Sequence, residues 1–178
     1  MLLKRIPDKL KSDIEKFRSS HTNGVLLLSA DNGMGKTYAA LSYCAENKDG
    51  LYFSFRHIGA DFAPKMFSKR YPEIFENCTD WTAFFDFLRI YGKEKRPIVF
   101  FDDVGERNDK KNFYAALKNF SEENNGCGAV VVLIGRPWEQ PEIPTETITI
   151  EPFSTQEISE TLSVSNAESV NIFSLSAG

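Results

Sequence analysis

The chain has 178 residues, 42% hydrophobic and 26% charged, which suits one α/β domain with a sizeable core and argues against disorder. A net charge of −4 gives no overall attraction to nucleic acid or to an anionic membrane. Cys44, Cys78 and Cys127 lie far apart with no CxxC pair, which argues against a zinc site or a disulfide framework and points to a reducing, cytoplasmic setting.

The first residues, Met1 to Pro7, become charged too soon for a signal peptide, and no apolar run approaches the ~20 residues of a membrane span. Pro7 to Ser19 carries Leu10, Ile14 and Phe17 at helical spacing, with Pro7 suited to a first turn; an amphipathic helix packed on the domain is expected. Gly24 to Ser29 is an apolar run that reads as a buried strand, and Tyr38 to Ala45 reads as a helix ending near Asn47 to Gly50. A short strand follows over Leu51 to Phe55, then a helical region from Ala63 to Glu76 broken by Pro72. Asp80 is placed to cap a helix from Trp81 to Tyr91, with Phe84, Phe85, Phe87 and Leu88 in the core. Lys93 to Arg96 reads as a solvated loop, and Trp81 and Trp138 as packing residues.

Pro97 to Phe101 is a continuous apolar strand that runs into Asp102 and Asp103. Lys110 to Asn124 is expected to be helical, with Phe113, Leu117 and Phe120 on one face. Ala129 to Ile134 is another buried strand, followed by Gly135, Arg136 and Pro137, and the alternating Glu146 to Ile150 reads as a peripheral strand. Ser154 or Thr155 then caps a helix through Leu162. Asn166 to Gly178 reads as a helix with Val170, Phe173 and Leu175 facing inward, and is expected to continue into a longer protein. Apolar strands alternating with helices predict a parallel sheet covered on both sides. Three parts are expected: an N-terminal helical segment over 1–22, a core over 23–153, and the start of a helical region over 154–178.

Chemistry concentrates at three places. Ala30-Asp-Asn-Gly-Met-Gly-Lys-Thr37 has the Walker A pattern, with Ala30 where a first glycine is usual, and it lies between a strand and a helix as a phosphate loop must. Gly33 and Gly35 let the backbone curl its N–H groups toward phosphate oxygens, and the following helix contributes its positive end. Asn32, Gly33, Met34, Gly35, Lys36, Thr37 and Tyr38 are the expected nucleotide-binding residues. Lys36 is expected at the β- and γ-phosphates and the Thr37 hydroxyl on Mg²⁺. The second place is Ile98 to Asp103, an apolar strand ending in acids as in a Walker B element. Asp102 is the expected metal-side residue and Asp103 the acid that orients or deprotonates the attacking water, with Glu106 as a fallback. The third is Arg136, at the tip of the next buried strand, where a guanidinium can bond a terminal phosphate or else pair with Glu139 or Glu142.

Taken in order, Ala30 to Thr37, Ile98 to Val104, Val130 to Arg136 and Ile148 to Leu162 resemble the nucleotide-binding domain of STAND ATPases. These are signal-transducing ATPases of the AAA+-related class that include the NB-ARC, NACHT and archaeal-type groups. Val-Phe-Phe-Asp-Asp-Val104 is similar to the family's strand-Asp-Asp-Val element, and Val-Val-Leu-Ile-Gly-Arg136 to its strand ending in a phosphate-sensing arginine. Ile172 to Gly178 is similar to the start of the family's Gly-x-Pro element, without its proline. The resemblance implies an ASCE/AAA+-like P-loop NTPase of three layers with a central, mainly parallel sheet. It also implies ATP and ADP as ligands with Mg²⁺, slow or partner-dependent hydrolysis, and nucleotide-dependent self-association. It further implies coupling of the nucleotide state to C-terminal domains of a longer chain, and Ile6 and Pro7 are candidates for the adenine pocket.

Other readings stay open. An AAA+-type motor or DNA-loading ATPase needs an arginine finger in trans, for which Arg107 is the candidate. A small-molecule kinase would want an acid at the tip of the second strand, where this chain has Ser54, Phe55, Arg56 and His57 and no carboxylate before Asp61. A non-hydrolysing nucleotide-binding scaffold is the remaining possibility. Asn47 to Gly50 superficially resembles a guanine-reading motif, but its Asp49 is one place early and a helix cap is the natural reading. His21 carries no partner pattern, and the basic run Lys93 to Arg96 is read as solvated, with contact to nucleic acid as its alternative.

Overall fold

The computed structural model describes residues 2–20, 24–55, 72, 78, 80–104, 110–122, 128–136, 143 and 145–150, the side chains of 2–7 and 110 excepted. Expectations for the helical region around Ala63, for Arg56, His57, Asp61, Glu106, Arg107, His21, Cys127, Trp138, Glu139 and Glu142, for the Ile6 and Pro7 side chains, and for everything after Ile150 lie outside the described residues.

The described elements are, in chain order, α1 (Leu2–Ser20), β1 (Gly24–Ser29), α2 (Lys36–Glu46), β2 (Gly50–Ser54), α3 (Trp81–Lys95), β3 (Ile98–Asp102), α4 (Lys110–Glu122), β4 (Val130–Gly135) and β5 (Glu146–Thr149). Among the described residues they form one sheet of order β2-β3-β4-β1-β5, with every pairing parallel. β1, β3 and β4 are interior strands, which explains their uninterrupted Val, Leu, Ile and Phe runs. β5 buries only Ile148 and lies at the edge, as its alternation predicts.

The period of two within each strand sorts side chains to the two faces. Leu26, Leu28, Phe100, Val130 and Val132 pack with Leu10, Ile14 and Phe17 of α1 and with Ala39, Ala40 and Tyr43 of α2. The opposite parity, Val25, Leu27, Phe53, Phe101, Val131 and Leu133, packs against α3 and α4. The result is a three-layer α/β/α arrangement. The phenylalanines act mainly through this second layer: Trp81 meets Phe113 edge-on at 4.8 Å between ring centroids, and Phe55 stacks on Phe101 at 5.5 Å.

Two helices are longer than the sequence pattern suggests. α1 starts at Leu2, five residues before Pro7. A proline removes the hydrogen bond to the carbonyl four residues back, here that of Leu3 in the opening turn, so the rest of the helix is untouched. Lys93 to Lys95 are not a loop but the last turn of α3, where cations favour the negative helix end, and Arg96 closes the helix in the left-handed region at φ 48°. Phe87 is half-buried rather than fully in the core. Gly24, the first residue of β1, sits under Phe17: a Cβ there would lie 2.3 Å from the ring carbon Cζ, which only glycine avoids.

Candidate nucleotide site

Because the sheet is parallel, the loop after β1, the last residue of β3 and the residue after β4 all emerge at one edge, the usual ligand edge of such sheets. The loop from Ala30 closes on itself. The Lys36 ammonium donates to the Ala30 carbonyl at 2.6 Å and to the Asp31 carbonyl at 2.8 Å. Gly33 and Gly35 take φ of 77° and 78°, values that L side chains rarely adopt. Ala30 has no positive φ, so the missing first glycine imposes no strain here. Asn32 is exposed, Met34 packs partly against the α1/α2 core, and Tyr38 is exposed in the first turn of α2.

The start of α2 differs from that of α3. Asp80 caps α3 by accepting from the Ala83 N–H at 2.8 Å. α2 begins at Gly35 with no side-chain cap, so its first N–H groups are not taken up by a capping side chain. An uncapped helix start behind a glycine loop suits an anion.

Asp102 is the hub of the edge. It is buried, and strand parity turns it toward the α2 face together with Ile98 and Phe100. Its Oδ2 accepts from the Thr37 hydroxyl at 2.7 Å and from the Tyr52 phenol at 2.8 Å, while Oδ1 accepts from the Asp103 N–H at 2.9 Å. Asp103 lies just past the strand in the left-handed region at φ 60°, which Asp tolerates better than most residues, and its Oδ2 accepts from the Ser54 hydroxyl at 3.0 Å. Burial, then the charge of Asp102 and the hydrogen bond to it, raise the Tyr52 phenol well above its ordinary value, so it serves as a donor.

The fold is that of a P-loop NTPase. Among solved structures, the chain is similar to the Walker-type ATPase PABY2304 of Pyrococcus abyssi, with a TM-score of 0.60 at 14% identity. The likeness covers 96% of this chain and 61% of that one, so the chain spans about three fifths of that protein's length. No family model matches the chain, and no curated protein matches it.

Within this P-loop fold the tertiary structure brings Thr37 and Asp102 into contact and puts Asp103 beside them. Arg136 is half-buried one residue past β4, whose Gly135 pairs with Ser29 of β1. With β4 between β1 and β3, Arg136 therefore leaves the sheet between the phosphate loop and Asp102. Thr37 and Asp102 fit Mg²⁺: both offer hard oxygen donors, one a carboxylate, beside a loop suited to phosphates. Among the described residues no group of three or more His, Cys, Asp and Glu side chains is placed to hold a metal ion by itself. The sequence reading missed Tyr52 as part of this edge, and saw in Ser54 only the absence of a carboxylate. Their signal is the β2–β3 register, Tyr52 opposite Phe100 and Ser54 opposite Asp102, which one strand's pattern does not contain.

Among the described residues no helix is long and apolar enough to cross a membrane.

Proposed function

We propose that the chain is the ATP-binding, slowly hydrolysing switch domain of a STAND-like ATPase, with its nucleotide state coupled to a C-terminal part of a longer protein. The observation that carries the nucleotide reading is the Thr37–Asp102 contact at 2.7 Å, which joins the end of the phosphate loop to the acid-tipped strand across intervening β4. In this reading Asn32 to Tyr38 wrap the phosphates, Lys36 turns from the loop carbonyls to the β- and γ-phosphate oxygens, and Thr37 with Asp102 holds Mg²⁺. When bound, Mg²⁺ would neutralise charge on the phosphate oxygens.

Asp103, steadied by Ser54, aligns the attacking water from the same edge. Arg136 contacts the terminal phosphate and so distinguishes ATP from ADP. Catalysis of this kind is chiefly positional and electrostatic. The C-terminal coupling, the nucleotide-dependent self-association, the choice of adenine and the division into 1–22, 23–153 and 154–178 rest on the resemblance and the sequence pattern. The Lys9 ammonium donates to the Thr149 carbonyl at 3.0 Å, so the N-terminal half of α1 reaches the ligand edge, which supports an adenine pocket near Ile6 and Pro7. A kinase reading is disfavoured by the end of β2, where Ser54 rather than a carboxylate lies opposite Asp102.

Equilibrium binding of ATP, ADP and GTP with Mg²⁺, together with phosphate release, tests the proposal. Adenine-selective binding with slow release supports the switch; rapid multiple turnover favours a motor or stand-alone enzyme; absence of binding ends the nucleotide reading. Asp103→Ala should reduce phosphate release by about 100-fold while ATP affinity stays within threefold. Unchanged release would move the water-positioning role away from Asp103.

A further inference from the structure

Asp102 has two rotatable side-chain bonds, and a metal-side carboxylate is useful only if its free lone pairs face the ion's position. Its Oδ1 is tied to the N–H of the next residue, and that bond alone leaves Oδ2 without a fixed direction. The second tie comes from the neighbouring strand. Tyr52 shares the strand face of Ser54, packs its ring partly into the α1/α2 core, and reaches along β3 to Oδ2 at 2.8 Å. Thr37 meets the same oxygen from α2 at 2.7 Å. Both Oδ2 donors are hydroxyls, so the carboxylate is oriented without being matched to a cationic side chain in these contacts.

We propose that Tyr52 is a positioning residue for divalent-cation binding, its phenol holding Asp102 so that the Asp102 and Thr37 oxygens face the ion as a pre-set pair. The inference rests on the reading of Thr37 and Asp102 as the Mg²⁺ residues. Pre-set ligand orientation is the usual contribution of hydrogen bonds just outside a metal site, and its loss commonly weakens the metal about tenfold or more. Tyr52 does not touch nucleotide in this scheme; it acts through Asp102.

The test is Tyr52→Phe in the full chain, which removes one oxygen and keeps the ring in its packing place. ATP affinity is measured by calorimetry across a Mg²⁺ titration and in excess EDTA. The expected result is an affinity in EDTA within twofold of wild type and a Mg²⁺ midpoint about tenfold higher. In an Asp102→Asn background, Tyr52→Phe should add no further shift, whereas a merely structural tyrosine would depress binding in either background and in EDTA alike. A Mg²⁺ midpoint unchanged or lowered in Tyr52→Phe overturns the positioning role while leaving the Asp102 reading intact. A wild-type affinity indifferent to Mg²⁺, or an Asp102→Asn variant with the wild-type midpoint, overturns both. If Tyr52→Phe melts early, Mn²⁺ affinity of the wild type against Asp102→Asn, read by water-proton relaxation with ATP present, decides whether Asp102 is the ion's residue. The midpoint of Tyr52→Phe at a temperature below its melt then decides the role of Tyr52.

Discussion

The two edges of the sheet both carry acids, yet they use them in opposite ways. At the edge where strands begin, Asp49 pairs with the Arg18 guanidinium at 2.8 Å, and Arg18 also donates to the Arg96 carbonyl at 2.7 Å. Arg96 lies against Gly128, whose φ of 71° and lack of a side chain make room for it. At the edge where strands end, Asp102 is held, among the described residues, by two hydroxyls and an amide. An acid matched to a guanidinium has its charge answered inside the fold and serves as a clasp. An acid oriented by neutral donors keeps its charge on offer to something that arrives. The difference separates a structural acid from a candidate ligand-binding one more clearly than burial does.

The contrast breaks if the wrong edge responds to nucleotide. The largest effect is expected for Lys36→Ala, with ATP affinity falling on the order of 100-fold, since charge-assisted bonds to phosphate are lost together. Its melting temperature without nucleotide should stay close to wild type, because the Lys36 ammonium donates to the Ala30 and Asp31 carbonyls of its own loop. A wild-type titration curve from Lys36→Ala would remove the phosphate loop from the argument. Next comes Arg18→Ala, which leaves Asp49 and the Arg96 carbonyl without their donor. Urea unfolding should show a loss of about 2–3 kcal/mol, with ATP affinity within twofold. An affinity change larger than the stability change would mean that the strand-start edge is not merely a clasp.

A smaller loss, about 1–2 kcal/mol, is expected for Gly24→Ala, since the new Cβ pushes Phe17 out of its place on β1. Calorimetric melting checks it, and an unchanged melting temperature would show that α1 shifts without cost. The smallest effect concerns Cys44, beside the same edge. Burial first, then the charge of Asp49, push its thiol from 9.0 up to about 12. The unfolded thiol therefore ionises first: this contribution to stability is complete below pH 9 and is lost as pH rises from 9 toward 12. Tyr43 is raised by burial, then by Asp49 and Glu15, and acts with the same sign. Urea midpoints should fall less between pH 9 and pH 10.5 in Cys44→Ala than in wild type. Equal slopes would show that the thiol is not protected.

Much of the candidate site was legible because the chemistry proposed for it is local. Gly33, Gly35, Lys36 and Thr37 are contiguous, and a phosphate loop is built from consecutive N–H groups, so spacing alone exposes it. Asp102 was legible from the end of an apolar strand. The helix starting at Asp80 was equally clear, since a cap and its N–H lie three residues apart. The extension of α1 past Pro7 was not, because a proline near a helix start and a proline within the first turns look alike in a sequence. Nor was the last turn of α3, where a run of lysines fits a loop as well as a helix end.

By itself the sequence determined the strand–loop–helix phosphate motif, the apolar interior strands and the buried faces of the helices, because these depend on periodicities of two and 3.6 residues and on neighbouring backbone groups. Only the tertiary structure decided that Thr37 meets Asp102, that Arg136 emerges between them, and that the Tyr52 phenol reaches the same acid. Those contacts join residues far apart in the chain through strand order and register, and no local pattern encodes which strands become neighbours.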